Sequence, residues 1–406
     1  ITVEITHADV RRWLGIELSS AEISELLSHL GFDCQQDGDT ILATVPDHRV
    51  DIESDPINGK ADVMEEIARI YGYDNIPETR LSDVLPIQRN AEKLDFEENV
   101  RDLLVRESLQ EIISYRLTSP EREAKRLPPE IEDDQTPYVK VINPIAVDHF
   151  AMRKSLLSSV LETVEYNALI RERIAIFEIG GVFLASEESQ LPEEQDRLVL
   201  AITGPRQVAS WQDSTAPGKY DFFDLKGIVE SMLKGLHIDM VSYQSQSYPS
   251  FHPGKSAAIC VGDTRIGVMG ELHPVVHSQY NFSDAPILAA VFYLEQLREA
   301  APPRYEVESV STYPPILEDI ALIVDEDVPA GQVTFLIDQT GGKQVTNVRL
   351  FDVYRGEQLG TGKKSLAYSL TYQAPDRTLT DNEVAKIRKK IVKRLERELN
   401  AQLRDQ

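Results

Sequence analysis

Cysteine is almost missing from this 406-residue chain. Cys34 and Cys260 are the two, which excludes a disulfide scaffold and a cysteine-rich zinc site and suits a reducing cytosol. No apolar run approaches the roughly 18 residues of a membrane span. The opening Ile1-Thr-Val-Glu4 has no basic stretch, so no signal peptide is expected, and from a start at isoleucine a fragment or a processed piece is expected. Positive charge is scarce too. Forty-two basic side chains stand against 67 acidic ones, a net charge of −25, which argues against unselective polyanion binding unless the bases are segregated.

Several catalytic signatures are also missing. There is no HExxH, no GxSxG and no dinucleotide fingerprint. Gly254-Lys255-Ser256 is not a P-loop: Pro249 stands where the first glycine belongs, and Ala257–Cys260 reads as a strand. His273 and His277 are four apart, but Pro274 opening a helix accounts for that spacing without a metal. Cys34 has no basic neighbour to activate it as a nucleophile.

What remains is an ordinary globular chain, 42% hydrophobic and long enough for two to four domains. Connectors divide it into residues 1–85, 86–304 and 305–406, with net charges of −12, −11 and −2. The last part is polarised. Residues 305–342 hold eight acids and no base, whereas 343–406 hold fourteen bases and eight acids. A basic half on an acidic protein is what local contact with phosphates needs, although a solvated lysine-rich helix gives the same count.

The periodicities predict an α+β multidomain chain. In the first part, Ser19 and Glu22 form a capping box ahead of Ile23, Leu26, Leu27 and Leu30. A strand follows at 40–45 and a helix at 62–71, a small domain that is winged-helix-like in size and order. In the middle part, helices are expected near 91–108, 153–170 and 222–235. Strands are expected at 111–117, 138–142, 174–184, 198–204, 257–261, 265–272 and 288–294, with loops at 120–137 and 185–196. Consecutive strands without a helix between them favour an antiparallel sheet. The last part reads strand 319–324, helix 330–339, strands 345–354 and 364–372, then a basic helix 381–403. That βαββα order is a ferredoxin-like unit.

One constellation carries chemistry on spacing alone. Asp62, Glu65 and Glu66 fall at i, i+3 and i+4 on one helical face, and Asp51 is placed to close on them. Four converging carboxylates need a hard cation, so Mg²⁺ or Ca²⁺ is one reading. The other is an N-terminal capping box of Asp62 and Glu65, which needs no metal.

The motifs themselves are specific. Val45-Pro-Asp-His-Arg-Val-Asp-Ile52, followed by Ala61-Asp-Val-Met-Glu-Glu-Ile-Ala-Arg-Ile-Tyr-Gly-Tyr-Asp-Asn-Ile-Pro77, closely resembles the small DNA-binding-fold domain of the large, β subunit of phenylalanyl-tRNA synthetases. Met152-Arg-Lys-Ser-Leu-Leu157, Ile176-Phe-Glu-Ile-Gly-Gly-Val-Phe183, Asp221-Phe-Phe-Asp-Leu-Lys-Gly227, His252-Pro-Gly-Lys-Ser-Ala257 and Gly270-Glu-Leu-His-Pro274 are similar to its synthetase-like core. Tyr313-Pro-Pro315, Asp319-Ile-Ala321, Phe351-Asp-Val-Tyr-Arg-Gly356, Gly362-Lys-Lys-Ser-Leu-Ala367 and Thr378-Leu-Thr-Asp381 resemble its ferredoxin-fold anticodon-binding domain. The three sets come in the family's order and span essentially the whole chain.

The resemblance implies a cytoplasmic assembly of two small and two large subunits that joins phenylalanine to tRNA at the expense of ATP. It implies magnesium at Asp51, Asp62, Glu65 and Glu66, although an insertion around Ser54–Lys60 separates Asp51 from the helical trio. Glu318 is a second departure, standing where relatives commonly place a base. The large subunit normally begins with further domains, including one that hydrolyses mischarged tyrosyl-tRNA, so editing is not expected of this chain. Class II synthetases use a Gly-x-Gly-x-x-Arg element, and Gly267-Val-Met-Gly270 lacks the arginine. The core is therefore expected to be catalytically silent and to pack on the catalytic small (α) subunit. For tRNA(Phe), the expected contacts are Arg349, Tyr354, Arg355, Lys363, Lys364, Arg377 and Arg404. Tyr368 is a stacking or a core residue, and Lys386, Lys389, Lys390 and Lys393 read as a solvated helix face. The rival readings are a free-standing nucleic-acid-binding module and a metal-dependent hydrolase. The hydrolase would need a nucleophile-activating geometry that the sequence does not offer.

Overall fold

The computed structural model describes residues 1–79, 91–305, 307 and 309–404, in two compact units, Ile1–Arg89 and Asn90–Gln406. The expected boundary at residue 85 lies outside the described residues.

The first unit runs β1 (Thr2–Thr6), α1 (His7–Leu14), α2 (Ser20–Ser28), β2 (Asp33–Asp37), β3 (Thr40–Thr44) and α3 (Asn58–Tyr71). Capping boxes at Thr6/Asp9 and Ser19/Glu22 start the first two helices by tying off backbone donors that no helical carbonyl reaches. The strands form an antiparallel sheet in the order β1-β3-β2. Ile5, Val10, Ile23, Leu27, Ile41, Val63 and Ile67 make the core beneath it. α3 begins four residues earlier than the spacing suggests. The Asp55 carboxylate accepts from the Ile57 and Asn58 amides at 2.9 Å each, so the inserted segment builds an extra first turn. Asp62 is therefore inside the helix, and the capping-box reading of Asp62 and Glu65 is overturned.

The second unit opens with α4 (Glu92–Arg106), β4 (Gln110–Glu111), β5 (Leu117–Thr118), α5 (Pro120–Ala124), β6 (Ala151–Met152) and α6 (Leu156–Ala168). It continues with β7 (Ile174–Leu184), β8 (Glu193–Thr203), α7 (Phe222–Gly235), β9 (Val241–Ser245), β10 (Phe251–Val261), β11 (Thr264–Leu272), α8 (Pro274–His277), β12 (Leu288–Tyr293) and α9 (Leu294–Ala300). Seven of these strands form one sheet, ordered β4-β7-β8-β12-β11-β10-β9, antiparallel except where β4 meets β7. Strands buried on both faces read as near-continuous apolar runs, which is why β7 and β12 are so plain in the sequence. α4, α7 and α9 pack on one face through Val100, Leu104, Val229 and Leu297. α6 and α8 pack on the other through Leu157, Val160, Val164 and Val276.

Two expected strands dissolve here. Residues 111–117 pair only at their ends, because the chain between them leaves the sheet to place Ser114 beside a buried ion pair. Residues 138–142 make a single bridge, Lys140 to Ala151, and turn Ile142 outward.

The chain ends in β13 (Ile316–Asp325), α10 (Ala330–Gly341), β14 (Val345–Tyr354), β15 (Lys363–Tyr372), α11 (Asp381–Leu399) and β16 (Gln402–Leu403). The βαββα order stands, and β16 is an addition: α11 stops at Leu399 because Asn400 turns left-handed at φ +53°, which frees the chain to pair with β13. The sheet is ordered β14-β15-β13-β16, and both helices cover one face of it through Val333, Ile337, Ile387, Ile391 and Leu395. Tyr368 belongs to that core and is closed to a nucleobase. Among the described residues no helix is long and apolar enough to cross a membrane.

Candidate functional site

Three surfaces bear on function. The first is the acidic segment of the first unit. Arg49 lies between two of its carboxylates, donating from Nε to Asp51 Oδ1 at 2.9 Å and from Nη2 to Asp51 Oδ2 at 2.6 Å and Glu66 Oε1 at 2.8 Å. Arg69 holds the other oxygen of Glu66, its Nε donating at 3.2 Å. Asp62 accepts the Glu53 amide at 3.0 Å, and Glu65 is exposed on the helix. The hydrogen bonds from Arg49 draw the Asp51 carboxyl down to about 2. Burial works against the Glu66 carboxylate, but the two guanidinium groups outweigh it and hold it below the usual range. Among the described residues no three metal-ligating side chains converge. In this arrangement the four acids do not fit a magnesium ion, because a guanidinium stands where the cation would balance Asp51 and Glu66.

The second surface is the open face of the last sheet. Side chains alternate along a strand, so Leu366, Tyr368, Leu370 and Tyr372 of β15 enter the core while Ser365, Ala367 and Ser369 lie on the opposite face, Ser365 covered there and the other two half-buried. The register sets Ala321 of β13 beside Ala367, Asp352 of β14 on its other side, Arg349 beside Ser369 and Tyr354 beside Ser365. Small residues thus floor a shallow trough with larger ones on its rim. Arg404 donates its amide to the Ala321 carbonyl at 2.9 Å, and its guanidinium reaches over the Tyr354 ring, 5.2 Å from the centroid. It therefore reaches across β15 to Tyr354, which remains partly exposed. Phe351 was missed by sequence reasoning. It occupies a register shift between Leu350 and Asp352 and is 50% exposed, and a bulge of this kind has no sequence signature of its own.

The remaining expected RNA contacts are not equivalent. Arg349 is exposed and makes no ion pair among the described residues. Arg355 donates to Glu326 at 2.8 and 2.9 Å, Lys363 pairs with Asp325 at 3.3 Å, and Arg377 donates to Glu383 at 2.8 Å. Lys364 points inward instead, its ammonium donating to the Glu326 carbonyl at 2.7 Å. Nearly enclosed, it offers little of its ammonium to a phosphate.

The third surface is an apolar shelf on the middle domain. Residues 113–117 and 141–149 run side by side, tied by Phe150 N to Thr118 O at 3.1 Å and Val141 N to Phe150 O at 2.8 Å. They expose Ile113, Tyr115, Ile142, Ile145 and Val147, and a hollow of about 540 Å³ opens among Tyr115, Leu117, Val141, Pro144, Ile145 and His149. Exposed apolar side chains gathered on adjoining segments are the kind of surface that a partner can cover.

Three family descriptions match successive stretches of the chain. "tRNA synthetase B5 domain" matches residues 3–73, "Phenylalanyl tRNA synthetase beta chain CLM domain" matches 76–294, and "Ferredoxin-fold anticodon binding domain" matches 311–404. Together they define a tRNA synthetase chain. It belongs to the phenylalanyl-tRNA synthetase beta chain family. The phenylalanine–tRNA ligase beta subunit of Clostridium tetani is 36% identical over 398 residues, covering 97% of this chain and 48% of its own. That of Streptococcus pneumoniae is 34% identical over 407 residues, covering 100% and 49%. The chain thus spans about half the length of the curated relatives it matches. A pyrrolysyl-tRNA synthetase from Desulfitobacterium hafniense aligns with 61% of this chain and 83% of its own at 17% identity and a TM-score of 0.39.

Proposed function

We propose that this chain acts as the large (β) subunit of a phenylalanine–tRNA ligase, supporting ATP-dependent attachment of phenylalanine to tRNA. It does so in three parts: the acidic domain of residues 1–85, a catalytically silent core of 86–304 and an anticodon-binding domain of 305–406. The observation that carries the reading is the open face of the last sheet. A floor of small residues with Tyr354 and Phe351 at its rim suits unstacked bases, and Arg349 and Arg404 suit the phosphates beside them. Arg355, Lys363 and Arg377 extend the positive rim once RNA draws them from their acids, and Lys364 supports the face from beneath.

Silence of the core is supported by the missing arginine after Gly267-Val-Met-Gly270 and by α6, which fills one sheet face. The apolar shelf around Ile145 is the surface we assign to the catalytic α subunit, in an assembly of two α and two β chains. Magnesium at Asp51, Asp62, Glu65 and Glu66 requires Arg49 to leave its carboxylates, so metal and guanidinium compete for one place.

The test is to mix this chain with the α subunit of the same source and read the mass by size-exclusion chromatography with light scattering. Assembly followed by charging of tRNA with phenylalanine supports the reading, and Ile142→Ser/Ile145→Ser should abolish assembly while leaving the chain folded. Two separate peaks overturn it, and RNA binding by the chain alone would then favour a free-standing module.

A further inference from the structure

The outer face of α11 carries a second, separate concentration of positive charge. At 3.6 residues per turn, Lys386, Lys389, Lys390, Lys393 and Arg397 fall within about 100° of arc, opposite the buried stripe of Val384, Ile387, Ile391, Leu395 and Leu399. All five are exposed. Of the helix's own acids, Glu396 borders the stripe, three residues after Lys393, and it makes no ion pair among the described residues. Glu383 is committed to Arg377 and to the Thr380 cap, and Glu398 to Arg394 and Arg397. Lys386, Lys389, Lys390 and Lys393 make no ion pair among the described residues of a chain whose net charge is −25. At 1.5 Å per residue the four ammonium groups line about 10 Å of helix.

The chemistry of this stripe differs from that of the sheet. It presents no aromatic ring and no trough for an unstacked base, only point charges on flexible stems with Asn382 beside them. Such a surface addresses phosphates and ignores bases. It also faces away from the open sheet, since α11 lies between the two, so one single-stranded loop does not reach both. Resting on the reading of this domain as an RNA binder, we propose that the α11 stripe is a second site that takes the phosphate backbone of a paired RNA stem. The open sheet holds unpaired nucleotides, and α11 holds duplex.

Two fluorescent probes separate the sites on the full chain: a blunt 12-base-pair RNA duplex and a single-stranded RNA heptamer, each titrated by anisotropy over a range of salt. The comparison is between the parent chain and Lys386→Gln/Lys389→Gln/Lys390→Gln/Lys393→Gln, exposed changes that keep a good helix former at each position. Duplex affinity should fall at least tenfold near 0.1 M salt, and the slope of log K on log salt should flatten by up to about 3.6, near 0.9 for each of four phosphates no longer neutralised. Heptamer affinity should change less than twofold. Arg349→Ala/Tyr354→Ala should do the reverse, and its failure to weaken the heptamer would count against the sheet reading alone. The proposal is overturned if the parent chain does not bind the duplex, if the quadruple variant binds it as tightly, or if both probes weaken equally. Loss of phosphatidylserine-vesicle binding without any duplex binding would overturn it in favour of a lipid surface.

Discussion

Arg153 and Glu178 face each other inside the middle domain, 3.0 Å apart and each with a side chain 2% exposed. Arg153 Nη1 also donates to Ser114 Oγ at 2.8 Å, its Nε donates to the Gly181 carbonyl at 2.9 Å, and Ser114 Oγ donates to Glu178 Oε2 at 2.7 Å. Gly180 leaves the room: a Cβ there would collide with the guanidinium. Glu178→Ala should destabilise the second unit by about 3–5 kcal/mol, because it strands a buried cation. Arg153→Met/Glu178→Leu should cost less than either single change, since it removes both charges together. Urea denaturation checks both, and single costs below about 1 kcal/mol would mean that water reaches the pair.

Arg49 and a divalent cation cannot both satisfy Asp51 and Glu66. Arg49→Gln should therefore raise magnesium affinity at least tenfold in calorimetric titration. It should also return the Asp51 carboxyl from about 2 toward its ordinary range, read by NMR. Equal affinity in both proteins would remove Arg49 from any part in metal binding.

The start of α11 should be sensitive to acid. Arg377, and after it the Thr380 cap, lower the Glu383 carboxyl from an ordinary 4.5 to about 2. A depressed acid contributes stability above its unfolded value and loses it as pH falls through the folded value, so the window runs from about 4.5 down to about 2. Amide exchange in the first turn of α11 should rise across that window, and Glu383→Gln should flatten the dependence.

Lys364 should behave as a structural residue. Lys364→Met is expected to leave heptamer affinity within twofold while costing about 1–3 kcal/mol for the unpaired Glu326 carbonyl. A tenfold loss of RNA affinity at unchanged stability would return it to the binding surface.

How far the sequence reached follows from what each element depends on. Strands such as Ile174–Leu184 and helices such as Phe222–Gly235 are set by their own apolar pattern and were legible. β9, Val-Ser-Tyr-Gln-Ser, is a short, largely polar edge strand that pairs with β10 and anchors Val241 and Tyr243 on the core, and no run of apolar residues announces it. The 111–117 segment looked like a strand on composition but yields to a distant ion pair. The acidic cluster shows the same limit. Helical spacing places Asp62, Glu65 and Glu66 correctly on α3, yet it says nothing of Arg49 arriving from a turn to claim Glu66. On the last sheet, the motifs placed Arg349 and Tyr354 on a strand and Arg404 after the last helix, as they stand, whereas the inward turn of Lys364 depends on the register.

The order of the seven-stranded sheet has a consequence for synthesis. β4, β7 and β8 form one half, β9 to β12 the other, and the halves meet where Ile202 pairs with Leu288. A ribosome adding roughly 5–20 residues per second delivers that second partner on the order of ten seconds after the first. Throughout that interval the nascent chain carries β8 with a bare, apolar strand edge, the kind of surface that recruits wrong partners. The core of this protein is thus closed late, once β12 has been made and can cover that edge.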